Sequence, residues 1–232
     1  DPTFTGNTND MFNVLVTDNG NVLIDIEIGV TLLRNAVERN LAQLGSVPAD
    51  IKILGSRAYV INGFSNNIQI FELNQNPPQF LGTIVVPPGS NPISMDFFGN
   101  DQAYVANNIG QSVAVVNIFS GVCQTLIVSA EDQGNTQPCQ NVINVPSNTF
   151  EEPAGVKIVE NKVYISNNNL DDNFNPDGNG FITVLNTTTN QVVGTINASG
   201  ANTSSMVEID EVLYPLGLHA EWVNPGRLAI FD

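Results

Sequence analysis

At 232 residues, 42% of them hydrophobic, the chain is long enough to bury a sizeable core. Seven Lys and Arg stand against 23 Asp and Glu, and the resulting net charge of −16 repels phosphate backbones and anionic lipid, which excludes nucleic acid as a partner. No apolar run approaches the roughly 18 residues that a spanning helix needs, so no membrane span is expected.

Asp1 stands where an initiator methionine would, as in a chain whose leader has been removed. Residues 1–11 are polar and read as an N-terminal arm or edge strand. FNVLVTDN (Phe12–Asn19) then meets GNVLIDIEI (Gly20–Ile28), and Asn19-Gly20 between them is a tight-hairpin signal. In TLLRNAVERNL (Thr31–Leu41), Leu32, Leu33, Ala36, Val37 and Leu41 fall near helical spacing, which predicts a short helix. LAQLGSV (Leu41–Val47) returns to strand and closes a partial unit over 12–48.

A unit of four short strands follows over 49–91: DIKIL, RAYVIN, NIQIFEL and QFLGTIVV. The next, over 92–151, reads PISMDF, QAYVAN, SVAVVNI and VCQTLIV, then a long loop that holds Cys139. The third, over 152–203, reads GVKIV, KVYISN, a polar insertion Leu170–Gly180, FITVLN and QVVGTIN. The last, 204–232, is partial: SMVEID, EVLYPLG, an excursion through His219 and Trp222, and RLAIFD. LGSV at Leu44, LGTI at Leu81 and VGTI at Val193 recur at the place of the fourth strand. Tyr59, Tyr104, Tyr164 and Tyr214 recur at spacings of 45, 60 and 50 residues.

Strands rich in Val, Ile and Tyr, repeating every 40 to 50 residues or so, predict an all-β fold, a β-propeller of four-stranded antiparallel blades. About five blades are visible, three complete and two partial. Three completions stay open. Pro2–Gly6 closes a compact five-blade ring; the chain is part of a larger ring of six or seven blades; or an open edge takes a strand from a neighbouring molecule.

Cys123 and Cys139 flank a stretch rich in Gln, Asn, Gly and Pro. In an exported protein they read as one disulfide, with two buried thiols as the alternative. A single histidine, His219, excludes metal sites built from several histidines, and beside Trp222 it reads as a loop or packing residue. The best metal candidate is a calcium loop within the insertion. Asn173, Asn175 and Asp177, followed by Gly178, offer alternate oxygen ligands and a glycine turn, and Asp171 and Asp172 add charge. A solvated, turn-rich insertion is the competing reading, because Pro176 sits inside the loop and no distal glutamate follows. Glu131-Asp132 form a fainter acidic pair in the Cys loop. Asn186, Asn197 and Asn202 open N-x-[ST] sequons, which matter only if the source glycosylates exported proteins.

The motifs YVIN (Tyr59–Asn62), YVAN (Tyr104–Asn107) and YISN (Tyr164–Asn167), each followed by a strand such as VAVVN or ITVLN, resemble the YVTN-type β-propeller repeats. That family occurs in surface-layer and exported proteins and in propellers similar to lactonases. The resemblance spans roughly residues 12–232. It implies an extracellular, cell-surface or periplasmic module that binds another protein or itself. A lactonase-like hydrolase with metal-bound carboxylates is the alternative it also implies, for which Asp96, Glu152 and Glu208 sit in or near first strands. A periplasmic subunit supporting a redox partner is a further one. The repeated residues read as fold-bearing: Tyr and alternate aliphatics between blades, and Asn opening the turn by bonding its own backbone.

Overall fold

The computed structural model describes residues 11–17, 22–29, 35–75, 77–131, 134–171, 175, 177–198, 200, 203–209, 212–217 and 227–228, by backbone alone before 42 and after 207. Residues 1–10 of the N-terminal arm with Pro2–Gly6, Asp172, Asn173, Asn202, His219, Trp222 and the side chain of Glu208 lie outside these residues, whereas Met11 opens the first strand. Every regular element among them is a strand, and the strands form five sheets in chain order.

The first sheet holds β1 (Met11–Thr17), β2 (Val22–Gly29) and β3 (Asn35–Gln43). The second holds β4 (Pro48–Leu54), β5 (Arg57–Asn62), β6 (Asn67–Glu72) and β7 (Gln79–Val85). The third runs β8 (Pro92–Phe98), β9 (Gln102–Asn107), β10 (Ser112–Asn117), β11 (Val122–Ser129) and β12 (Asn141–Val145). The fourth comprises β13 (Pro153–Val159), β14 (Lys162–Asn167), β15 (Phe181–Asn186) and β16 (Val192–Asn197). The fifth comprises β17 (Thr203–Ile209), β18 (Val212–Gly217) and β19 (Arg227–Leu228).

Each sheet is an antiparallel meander, to which β12 adds a parallel strand in the third, and its first strand touches the first strand of the next sheet: β1 on β4, β4 on β8, β8 on β13, β13 on β17. Sheets arranged in this way are propeller blades around a channel.

The core lies between blades, which explains why the second strands read as unbroken apolar runs: both faces are covered. Along β5, Tyr59 and Ile61 face the third blade, joining Met95, Ala103 and Val105. Ala58 and Val60 face the other way, into a cluster with Leu44 and Phe71. Along β9 the same alternation sends Tyr104 and Ala106 toward Val156, Val163 and Ile165 of the fourth blade. The motif tyrosines thus reach forward. Tyr59 meets Phe97 edge-on at 5.1 Å, and the Tyr104 hydroxyl donates to Asn190 Oδ1 at 2.6 Å and lies 3.2 Å from Thr187 O.

Three features depart from the sequence reading. The helix expected over Thr31–Leu41 is not formed there: Asn35–Gln43 is strand β3, paired with β2 through Ile26↔Val37 and Asp25↔Glu38. Its apolar spacing is ambiguous over so short a run, and the free edge of β2 decides the outcome. LGSV at Leu44 is therefore not a fourth strand, because β3 ends at Gln43, whereas LGTI and VGTI do lie in β7 and β16. Within the long Cys loop, Asn141–Val145 forms a fifth strand, β12, which runs parallel to β11. The Cys123–Cys139 disulfide ties the start of β11 to the approach to β12.

Candidate functional site

The loops that collect at one end of the channel follow from the strand directions. In every blade the first strand starts at this mouth, the second ends there and the third sets out from it. The turns Gly63–Asn66 and Asn108–Gln111, the insertion Leu170–Gly180 and the loops joining successive blades therefore meet at the mouth.

Two repeated devices shape it. The first is the motif asparagine. Asn62, Asn107 and Asn167 are fully buried and cross-link the second strand to the third. Asn62 Nδ2 donates to Asn67 Oδ1 at 2.9 Å and Gln69 Oε1 at 3.0 Å, and Asn107 Nδ2 to Ser112 Oγ at 3.1 Å. Asn167 Nδ2 donates to Thr183 Oγ1 and Ile165 O, both at 3.1 Å, while its Oδ1 accepts from Glu151 N. Asn62 and Asn167 also bond the backbone two residues back, as expected of a residue that opens a turn, and the bridge to the third strand is added to that.

The second device was missed in the sequence, although its signal is there. Val47-Pro48, Asn91-Pro92 and Glu152-Pro153 open the first strands of three successive blades. The residue before each proline has φ of 54°, 50° and 46°. The register then slips at Pro48/Asp50, Pro92/Ser94 and Pro153/Gly155, a bulge at the same place in each blade. Proline suits the first residue of a strand, where no ladder donor is needed, and the bulge turns the strand into the channel. Each left-handed residue accepts at its carbonyl from the turn residue of its own blade: Gly63 N to Val47 O, Asn108 N to Asn91 O, Asn168 N to Glu152 O. Val47 is β-branched and poorly suited to that conformation. Val47→Asn, which copies Asn91, is expected to gain about 1 kcal/mol, seen as a higher urea midpoint; an unchanged midpoint would remove the strain argument.

Turns also grip the loop of the following blade. Asn66 Oδ1 accepts from Asn91 N at 3.0 Å. Gln111 and Glu152 form a reciprocal pair, Glu152 N to Gln111 Oε1 at 2.6 Å and Gln111 Nε2 to Glu152 Oε1 at 3.0 Å. Glu152 Oε2 accepts from Leu170 N at 2.9 Å, so this carboxylate is a joint between two blades and the insertion. Asp96 is a second joint: its Oδ2 accepts from Ile158 N at 2.8 Å and faces Lys157 Nζ at 3.7 Å. Two of the three carboxylates considered for a metal-assisted hydrolase are thus each held by their own partners.

The channel itself opens into a recess of about 240 Å³ lined by first strands, with Asp50, Lys52, Ser94 and Ser205 as its polar groups. Lys52 Nζ lies 3.0 Å from Asp50 Oδ2. In the insertion, Asp171 Oδ1 accepts from Asn175 N at 2.8 Å, and Asn175 Nδ2 also points at the carboxylate. Asp177 N donates to Asn169 O at 2.9 Å, and Gly178 takes φ of 120°. Among the described residues, no three His, Cys, Asp or Glu side chains group closely enough to hold a metal.

Two surface properties complete the mouth. Phe64 and Ile109 stand at the same position of successive turns, 63% and 55% exposed. Its loops carry Glu131, Glu151, Glu152, Asp171 and Asp177, and no Lys or Arg occurs between Arg57 and Lys157. At the opposite end, the hairpins include both Arg57 and Lys162 among their acids. Of the sequons, Asn186 Oδ1 caps its own turn by accepting from Thr188 N and Thr189 N, and Asn197 is exposed at the end of β16.

No family model and no curated protein matches the chain. Solved structures do. Hydrazine synthase of Kuenenia stuttgartiensis superimposes with a TM-score of 0.62 at 18% identity, over 80% of this chain and 46% of that one. The Pan2 WD40 domain of Neurospora crassa gives 0.56 at 13% identity, over 93% of this chain and 59% of that one. The computationally designed Ika4 protein gives 0.52 at 12% identity, covering 80% of this chain and 91% of that one. At these identities the likeness is one of fold, and the chain spans less than half of the hydrazine synthase chain it resembles. The fold is a β-propeller.

Proposed function

We propose that the chain is a non-enzymatic module of the exported YVTN-type propellers, which joins molecules at a surface or in the periplasm through the open edges of its blades. The observation that carries this reading is a contrast between equivalent strands. In the third blade the outer strand β11 is covered by β12, and all but two of its eight residues are buried. Strands β7 and β16 occupy the same place in their blades, and neither outer edge is paired among the described residues. They leave Phe80, Leu81, Val85 and Val193 exposed.

Open edges are usually guarded by charged residues or proline. Neither β7 (QFLGTIV) nor β16 (VVGTIN) contains one, in a chain with 30 charged residues. Two copies repel each other over most of their surface, and these neutral edges are where approach costs least. The disulfide fits an oxidising compartment. Among the described residues no helix is long and apolar enough to cross a membrane.

Light scattering and electron microscopy of the full chain test the reading. Concentration-dependent dimers or fibres are expected, reverting to single chains when Leu81→Lys and Val193→Lys charge both edges. Single chains at every concentration, or assemblies that persist in the charged variant, would overturn it.

A further inference from the structure

We infer that the channel mouth is a docking face for a basic, extended segment of another protein that carries an aliphatic or aromatic anchor. The blade edges play no part in it. Three observations converge. Phe64 and Ile109 project from successive turns on either side of the loop Val86–Asn91, which both turns grip: Asn91 N donates to Asn66 Oδ1, and Gly110 N to Ser90 O.

Beside Ile109 lies a recess of about 200 Å³, walled by Pro87, Pro88, Leu126 and Val128 with Ser90 and Asn135 at its polar side. It is an open cleft whose exposed lining is about equally polar and apolar, and it has room for one anchoring side chain. The mouth loops of the second, third and fourth blades, which flank these apolar points, carry Glu131, Glu151, Glu152, Asp171 and Asp177 and no Lys or Arg.

The sign selects the occupant. A second copy of this chain, at −16, is repelled here, and so are nucleic acid and anionic lipid. A bare divalent cation would answer the carboxylates and leave Phe64, Ile109 and the recess without a role. A segment with Lys or Arg beside a large apolar residue answers both. Its apolar anchor supplies the buried contact, and its charges speed the encounter.

The probe is a dye-labelled peptide alternating Lys with Leu and Trp, titrated into the full chain and read by fluorescence anisotropy. Its Glu-containing counterpart is titrated alongside. The basic peptide is expected to bind, and to weaken about tenfold between ~50 mM and ~300 mM salt. The pair Phe64→Ser and Ile109→Ser is expected to weaken it about tenfold further. Both residues are exposed, so these variants keep the fold, which the thermal midpoint checks. Phe119→Ser, at the opposite end and 68% exposed, is expected to change nothing. Equal affinity for the double variant and the Phe119 control would reduce the effect to general attraction by charge. That result, no binding at low salt, or equal binding of the acidic peptide would each overturn the inference.

Discussion

Tyr104→Ala is expected to remove about 4 kcal/mol of folding stability, which would make it among the most damaging single changes in the chain. The ring is fully buried between the third and fourth blades, and its hydroxyl lies against Asn190 Oδ1 and Thr187 O across that boundary. Deleting it opens a cavity where the third and fourth blades pack against each other. Tyr104→Phe keeps the ring and loses only the hydroxyl contacts, an expected cost of about 1 kcal/mol. Urea unfolding compares the two; an alanine variant as stable as the phenylalanine one would show that the blades do not pack through this residue.

The same burial makes the residue sensitive to alkali. It pushes the phenol up to about 12 from its ordinary value of 10.0, because the buried anion loses its hydration. The unfolded chain releases this proton near the ordinary value and the folded chain only higher, so rising pH favours unfolding between the two. The contribution is complete below about pH 10 and is lost as pH climbs toward 12. The phenylalanine variant should lack this alkaline decline. If both proteins decline in parallel, other groups cause it.

Replacing Cys123 and Cys139 by Ser is expected to cost about 3 kcal/mol, from the loop entropy that a crosslink of this span removes from the unfolded chain. The two cysteines are 16 residues apart. For a chain of this size that lowers the thermal midpoint by roughly 6–12 °C. The loss should be local in its first effect. Among the described residues strand β12 pairs with β11 alone, and its residues are mostly exposed. Without the crosslink, the Asn141–Val145 amides should exchange hydrogen much faster, while those of β9 and β10 keep their protection. Unchanged exchange in β12 would show that its ladder with β11 holds it without help.

The sequence disclosed what repeats locally. Tyrosine, alternate aliphatics and a closing asparagine recur because the space between blades is the same each time, and so the blade pattern can be read from one strand to the next. It was silent where distant segments decide. Asn35–Gln43 reads as helix until the edge of β2 is known to be open, and NVINV is too short to stand out as a strand until β11 is seen beside it. Glu152 and Asp96 read as candidate ligands near first strands, and their structural partners, Gln111 with Leu170, and Ile158 with Lys157, are 18 or more residues away along the chain. The Xaa-Pro step at 47–48, 91–92 and 152–153 is different. It was visible and periodic, and its meaning needed the backbone angle.

Four side-chain grips between blades point the same way, although Gln69 Nε2 also reaches back to Gln43 O. Tyr59, Asn66, Tyr104 and Gln111 each hold the blade that comes next in the chain. A ribosome releases the holding side first. Each blade therefore leaves the exit tunnel to meet a finished receptor, and folding can advance vectorially, one blade at a time, as synthesis proceeds.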